Sequence, residues 1–187
     1  MTGLVPAAAK KLAIPCLFSV HNIHTKDILL AELEERGIDP TPFWQQLYYR
    51  DMPGDYDQVK WSNPLDPLVS GGFAADAVSV VSPTFLTEII TGVHDFIPLH
   101  FRDVLLHKWE AGMSKGIINA PPPDFNPATD SYLAAPYRAK DFQEAKRANK
   151  LALQRELGLN PDPAAPLLLW PSRLDPMQKG CELLAQI

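Results

Sequence analysis

Arg173 and Lys179 are the residues of this chain whose type and spacing best suit chemistry. They lie in Trp170-Pro171-Ser172-Arg173-Leu174-Asp175-Pro176-Met177-Gln178-Lys179-Gly180, just after the apolar run Leu167-Leu168-Leu169, which Pro166 bounds upstream. A short apolar run between turn signals reads as a buried, parallel strand. Cys181 to Ile187 reads as the start of a helix. An arginine at the carboxyl end of a strand and a lysine at the mouth of the next helix can converge on one point. In open α/β sheets that point is where ligands bind. Two fixed cations there suit a diphosphate, through charge-assisted hydrogen bonds worth roughly 1.5–3 kcal/mol each. Taken alone, however, Arg-Leu-Asp is more often a surface turn with a local ion pair.

The other chemistry-bearing side chains are more scattered. His21 stands at the carboxyl end of the apolar run Ile14 to Val20. Alone, it is more often a histidine satisfied by backbone at a strand end. His21 and His24 could suggest a metal, but no third ligand lies nearby in sequence. His94, His100 and His107 have no ligand spacing and read as surface residues. Trp44, Tyr48 and Tyr49 could stack on a sugar, although an aromatic group on a short helix is more often core. Lys140, Lys146, Arg147 and Lys150 read as a solvated helix face.

The elements that must position these groups alternate between strand and helix, which indicates an α/β sheet. Helices are predicted over Leu4 to Leu12, Asp27 to Arg36, Thr41 to Tyr49, Pro67 to Ala75 and Lys140 to Leu157. Strands are predicted over Ile14 to Val20, Ala77 to Val81 and Gly116 to Asn119. Asp27 is the expected N-cap of its helix and Gly37 the residue that ends it. Ser82-Pro83 forms a cap and first-turn pair, and Gly158 closes the long helix. The polar stretch Asp51 to Trp61 reads as a loop.

Composition narrows the function. The 187 residues carry a net charge of -5, which argues against nonspecific nucleic-acid binding. No apolar run is long enough to span a membrane. Lys10-Lys11 follows the small apolar N-terminal patch, the reverse of a secretory signal. Cys16 and Cys181 form no metal or redox motif and read as reduced cytosolic thiols. The 19 prolines, about twice average usage, cluster at Pro121-Pro122-Pro123 and between Pro161 and Pro171 as stiff connections. No Gly-x-Gly-x-x-Gly follows a strand, which excludes a dehydrogenase fingerprint.

Several segments, in one order, carry a family resemblance. Ser172-Arg173-Leu174-Asp175 followed by Gln178-Lys179-Gly180 resembles the nucleotide-sugar phosphate motif of bacterial glycogen synthases and plant starch synthases. Val20-His21-Asn22-Ile23 resembles their Val-His-Asn segment. Ala75-Asp76-Ala77-Val78-Ser79-Val80-Val81-Ser82-Pro83-Thr84 resembles their Ala-Asp-x-Val-x-x-Val-Ser-Pro segment. Gly116-Ile117-Ile118-Asn119, with Asp124-Phe125-Asn126-Pro127-Ala128-Thr129-Asp130, resembles their segment ending Asn-Pro-Ala-Thr-Asp. Asn149-Lys150-Leu151-Ala152-Leu153-Gln154-Arg155-Glu156-Leu157-Gly158-Leu159 resembles their Leu-Gln-x-Glu-Leu-Gly helix.

The resemblance implies a GT-B glycosyltransferase, in which two Rossmann-like domains with parallel sheets face each other across a cleft. Residues 1-118 would be the C-terminal part of the first domain. Residues 119-187 would be the interdomain crossing and the start of the nucleotide-sugar-binding domain. The implied reaction moves glucose from ADP-glucose to the non-reducing end of an α-1,4-glucan with retention, using no metal or other cofactor. UDP-glucose remains the alternative donor. Arg173 and Lys179 match the cations that hold the leaving diphosphate, and His21 matches the histidine that contacts the transferred glucose. Asn22 and Asn119 are candidates for hydrogen bonds to sugar. The resemblance further implies a cytoplasmic enzyme, or a plastid one in a plant. Oligomeric state stays open.

The chain departs from the family pattern in three places. The Arg173-to-Lys179 spacing is one residue longer, with the insertion placed at Pro176-Met177. Asn119-Ala120 replaces Asn-Gly at a position where glycine can take φ > 0. The usual Tyr-Gln-Gly after the histidine is replaced by His24-Thr25-Lys26-Asp27. The glycine-rich Lys-Thr-Gly-Gly motif is not in this sequence, and the chain is expected to be a piece of a longer synthase, inactive alone and prone to self-association. Two alternatives remain: a non-catalytic carbohydrate-binding or interaction remnant, or another retaining GT-B transferase of the sucrose or trehalose-phosphate synthase type.

Overall fold

The computed structural model describes residues 2–173 and 179–186. They form two compact units, Met1–Ala120 and Pro121–Ile187. The first is built on a parallel sheet of β1 (Leu17–Val20), β2 (Ala77–Val80) and β3 (Ser114–Gly116), in that spatial order. Parallel pairing requires long crossovers. Helices α1 (Val5–Lys11), α2 (Leu30–Glu35), α3 (Tyr56–Ser62) and α4 (Pro67–Ala74) precede β2, and α5 (Pro83–Thr91) and α6 (Leu99–Glu110) follow it. The second unit holds α7 (Phe142–Glu156) and α8 (Cys181–Leu184), and no strand among its described residues.

Burial follows strand position. Central β2 buries Val78 and Val80 almost completely, while outer β1 buries only Val20. The register sets Val20 beside Val80 and Val80 beside Gly116. Ser79 is buried on the central strand, and its hydroxyl pairs with that of Ser19 at 2.9 Å, which satisfies a polar group that burial would otherwise penalise. One apolar cluster packs the sheet against α5 and α6, centred on Phe101, Ile89 and Leu105. A second gathers Leu4, Leu30, Leu33, Phe43, Val59 and Leu65. Gly116 is required by close approach: a Cβ there would lie 2.3 Å from the Pro83 backbone nitrogen, where β3 meets the start of α5.

The local signals that match are those with a hydrogen-bonding mechanism. Ser82 Oγ accepts from the Phe85 N–H at 3.0 Å ahead of Pro83, and Gly37 and Gly158 take positive φ after α2 and α7.

Several expectations are corrected. Asp27 does not cap α2: it pairs with Arg50, and the Glu32 carboxylate accepts the Leu29 N–H at 2.8 Å instead. The Asp51–Trp61 loop contains α3, capped by Asp55 and anchored by buried Val59. Outside that core contact, Tyr56 donates to Glu34, which Lys60 also engages; both hydrogen bonds, that of Lys60 foremost, hold the Glu34 carboxyl below its ordinary range. The Thr41–Tyr49 helix contracts to one 3-10 turn, Trp44–Gln46. The third strand lies two or three residues earlier than predicted, with Ile117 and Ile118 exposed beyond it. Leu167–Leu169 is not a strand: Leu168 is 80% exposed and Leu169 69%. The proposed Pro176-Met177 insertion lies outside the described residues.

Candidate functional site

The carboxyl end of β1 delivers Val20, His21 and Asn22 to the wall of a cleft of about 570 Å³ in the first unit. The Thr2–Leu4 turn and the start of α4 line it as well, with Glu32 and Arg36 from α2 and the residue after it. Gly3 lets that turn sit on α4, because a Cβ there would meet the Pro67 carbonyl oxygen at 1.8 Å. His21 is exposed to the cleft. Asn22 is partly occupied locally, since its Oδ1 accepts the His24 N–H at 3.3 Å.

The start of α4, which lines the cleft, is held by Asp66. Its Oδ1 accepts from the Leu68 N–H at 2.7 Å and the Val69 N–H at 3.2 Å, which caps α4, and from the Thr25 hydroxyl at 2.7 Å. Thr25 is thereby tied to a helix end, and Asp27 is tied to Arg50. The segment that departs from the family pattern is therefore fastened on both sides, with exposed Lys26 between the two ties. Sequence reasoning did not foresee Asp66 in this role, although Asp66-Pro67 is a cap and first-turn pair readable in advance. We expect Asp66→Ala to cost about 0.5–2 kcal/mol through the lost cap, with Asp66→Asn close to wild type. Urea denaturation of the two variants checks this; equal stability of Asp66→Ala and wild type would remove the cap from the account.

Lys26 and Arg36 face the cleft against one carboxylate, Glu32, which is engaged by the Leu29 N–H. The local balance is cationic in a chain of net charge -5. Asn119 is exposed after β3 and does not line this cleft. Arg173 and Lys179 are exposed residues of the second unit, and Lys179 directly precedes Gly180, which takes φ 64° at the start of α8. The structure thus brings His21 and Asn22 together, whereas Arg173 and Lys179 lie in a different compact unit. Tyr49 is core: its buried hydroxyl donates to the Trp44 carbonyl at 2.8 Å, and burial pushes its pKa up. Lys150 is not part of a free charged face, since its ammonium donates to the Pro163 and Ala165 carbonyls, each at 2.8 Å. Among the described residues no three His, Cys, Asp or Glu side chains gather as a metal site, and no helix is long and apolar enough to cross a membrane.

Comparison with known proteins decides the family. The family described as starch synthase catalytic domain matches residues 1–99, which contain the whole His21 cleft. The chain belongs to that family. The chain is 34% identical to a glycogen synthase of Syntrophotalea carbinolica over 195 aligned positions, covering 99% of this chain and 37% of that protein. It is 33% identical to a glycogen synthase of Rhodopirellula baltica, covering 100% of this chain and 35% of that one. Among solved structures, the catalytic domain of starch synthase IV from Arabidopsis thaliana, bound to ADP and acarbose, superposes with a TM-score of 0.68 at 27% identity. It covers 99% of this chain and 37% of that domain. The α/β fold with a parallel sheet is therefore that of a GT-B starch synthase catalytic domain, of which this family member spans little more than a third of its relatives' length.

Proposed function

We propose that this chain is a segment of a cytoplasmic glycogen or starch synthase that transfers glucose from ADP-glucose to the non-reducing end of an α-1,4-glucan, with retention. The observation that carries this reading is His21, delivered by β1 into a cleft inside the segment that matches the starch synthase family. In this reading residues 1–118 belong to the first catalytic domain, and residues 119–187 carry the crossing and the opening of the nucleotide-sugar domain. His21 contacts the transferred glucose, with Asn22 and Asn119 as weaker hydrogen-bonding partners of the sugar. Arg173 and Lys179 hold the diphosphate as it departs from an oxocarbenium-like sugar. No metal takes part, so protein cations must stabilise the charge that develops on the leaving group, a contribution that is usually the largest in such a site. ADP in the Arabidopsis relative supports a nucleotide-sugar donor. Glucosyl transfer needs parts of the catalytic domain beyond this segment.

The test is a chimaera in which this chain replaces the matching stretch of the Syntrophotalea carbinolica enzyme. The chimaera should transfer labelled glucose from ADP-glucose to glycogen, and the 187-residue chain alone should not. A chimaera that shows a cooperative thermal transition yet transfers nothing, or turnover by the isolated chain, contradicts the reading.

A further inference from the structure

The cleft that holds His21 carries more positive charge than contact with a neutral glucose requires. Lys26 and Arg36 line it with His21 and His24, and among the described residues Glu32 is the one carboxylate on its wall. We propose that this cleft binds a hexose monophosphate, with Lys26 and Arg36 as the cations for the phosphate and the sugar ring beside His21. The proposal rests on the synthase reading above. It adds an anionic class of ligand that would take the place of the transferred glucose and so compete with it.

Three observations point to a phosphate. The first is that both cations are unpaired. The ion pairs among the described residues join Arg50 to Asp27, Lys60 to Glu34 and His94 to Glu88, and neither Lys26 nor Arg36 takes part in one. Unpaired cations on a cleft wall raise the local concentration of anions and can form charge-assisted hydrogen bonds to them. The second is that the neighbouring carboxylates have other partners. Asp27, next to Lys26, is held by Arg50. Asp66 Oδ1 accepts from the Thr25 hydroxyl and from the Leu68 and Val69 N–H groups. Glu32 accepts the Leu29 N–H at 2.8 Å. The third is that the backbone carrying the cations is fixed before a ligand arrives. The Thr25–Asp66 and Asp27–Arg50 ties bracket Lys26. Arg36 directly follows α2, its N–H donates to the Leu33 carbonyl at 3.1 Å, and Gly37 then turns the chain at φ 78°. Less ordering is then left to be done on binding. The cleft's 570 Å³ falls within the range of small-molecule sites. An ammonium acting as a point charge and a planar guanidinium fork both suit a phosphate.

Calorimetric titration of the 187-residue chain tests this, with glucose 6-phosphate, inorganic phosphate, glucose and ADP as probes. Glucose 6-phosphate should bind saturably, and more tightly than either inorganic phosphate or glucose. Its affinity should fall severalfold between low and physiological salt. Lys26→Gln and Arg36→Gln should each weaken it about tenfold. Lys115→Gln, exposed on β3, should leave it unchanged. No binding to the folded chain, or unaltered binding in folded Lys26→Gln and Arg36→Gln variants, overturns the proposal. Inorganic phosphate bound as tightly as glucose 6-phosphate overturns the hexose assignment. If Lys26 and Arg36 matter for ADP and not for glucose 6-phosphate, they belong to the donor's diphosphate and the proposal falls. The chimaera's glucosyl transfer judges the synthase reading separately from all of these results.

Discussion

Replacing Arg173 with alanine in the chimaeric synthase should lower glucosyl transfer about a hundredfold or more. The reason is timing. Negative charge builds on the diphosphate only as the bond to glucose breaks, so a preorganised cation acts more strongly on the transition state than on bound ADP-glucose. The loss should therefore appear mainly in kcat, with KM changing less. Lys179→Ala should behave alike. The double variant should lose less than the product of the two single losses, because residues acting on one leaving group are not additive. Arg173→Lys should recover only part of the rate, since an ammonium cannot reproduce the planar two-point grip of a guanidinium. Steady-state kinetics of the four variants with ADP-glucose and glycogen decide the matter. Unchanged kcat in a folded Arg173→Ala chimaera would return Arg173 and Lys179 to the status of ordinary surface cations.

Phe101→Ala should produce the largest loss of stability, about 3–5 kcal/mol. Phe101 is completely buried on α6 and packs in the cluster of Ile89, Leu105 and Val78. Its ring also lies against α4, where a Cβ on Gly72 would stand 3.4 Å from it. The ring thus fills space that no neighbouring side chain can enter, and its removal leaves a cavity. A loss of that size approaches the whole stability of a small domain, so the variant should be largely unfolded. Leu99→Ala on the same helix is the control: Leu99 is 67% exposed, and the change should stay within roughly 0.5 kcal/mol. Urea denaturation followed by far-ultraviolet circular dichroism compares the two. Similar midpoints would place the core elsewhere.

What the sequence disclosed depended on how local the cause was. Ser82-Pro83 announces α5 because a hydroxyl, a fixed φ and three residues suffice to start a helix. His21 could be placed at a strand end because the apolar run before it stops there. Helix α3 escaped notice because its stretch is polar. What holds it is distant in sequence: Val59 enters a core made by other elements, and Lys60 and Tyr56 engage Glu34 of α2. Asp27 was misjudged as a cap for a similar reason. Ile28 forms an antiparallel bridge with Leu65, which keeps the chain extended past Asp27, and Arg50 is near enough to claim its carboxylate. Leu167–Leu169 shows the converse error. Three leucines have a strand's composition, but a strand exists only when a neighbour supplies its ladder, and none of the described residues pairs with them. In the site, the position of His21 after a strand was visible, whereas the ties that fix Thr25 and Asp27 were not, because both partners come from later in the chain.

The pairing of β1 with β2 also governs how the molecule reaches this state. Ser19 and Ser79, hydroxyl to hydroxyl in the finished sheet, are separated by 60 positions of chain. The β1–β2 pairing cannot begin until a loop of that size has closed, and the contacts that reward the closure arrive only afterwards. Folding should therefore run on the slow side for a unit of this size. During synthesis β1 leaves the ribosome well before its partner, with Leu17 and Phe18 unpaired. The residues at the carboxyl end of β1 that line the His21 cleft are thus made before the strand that secures them.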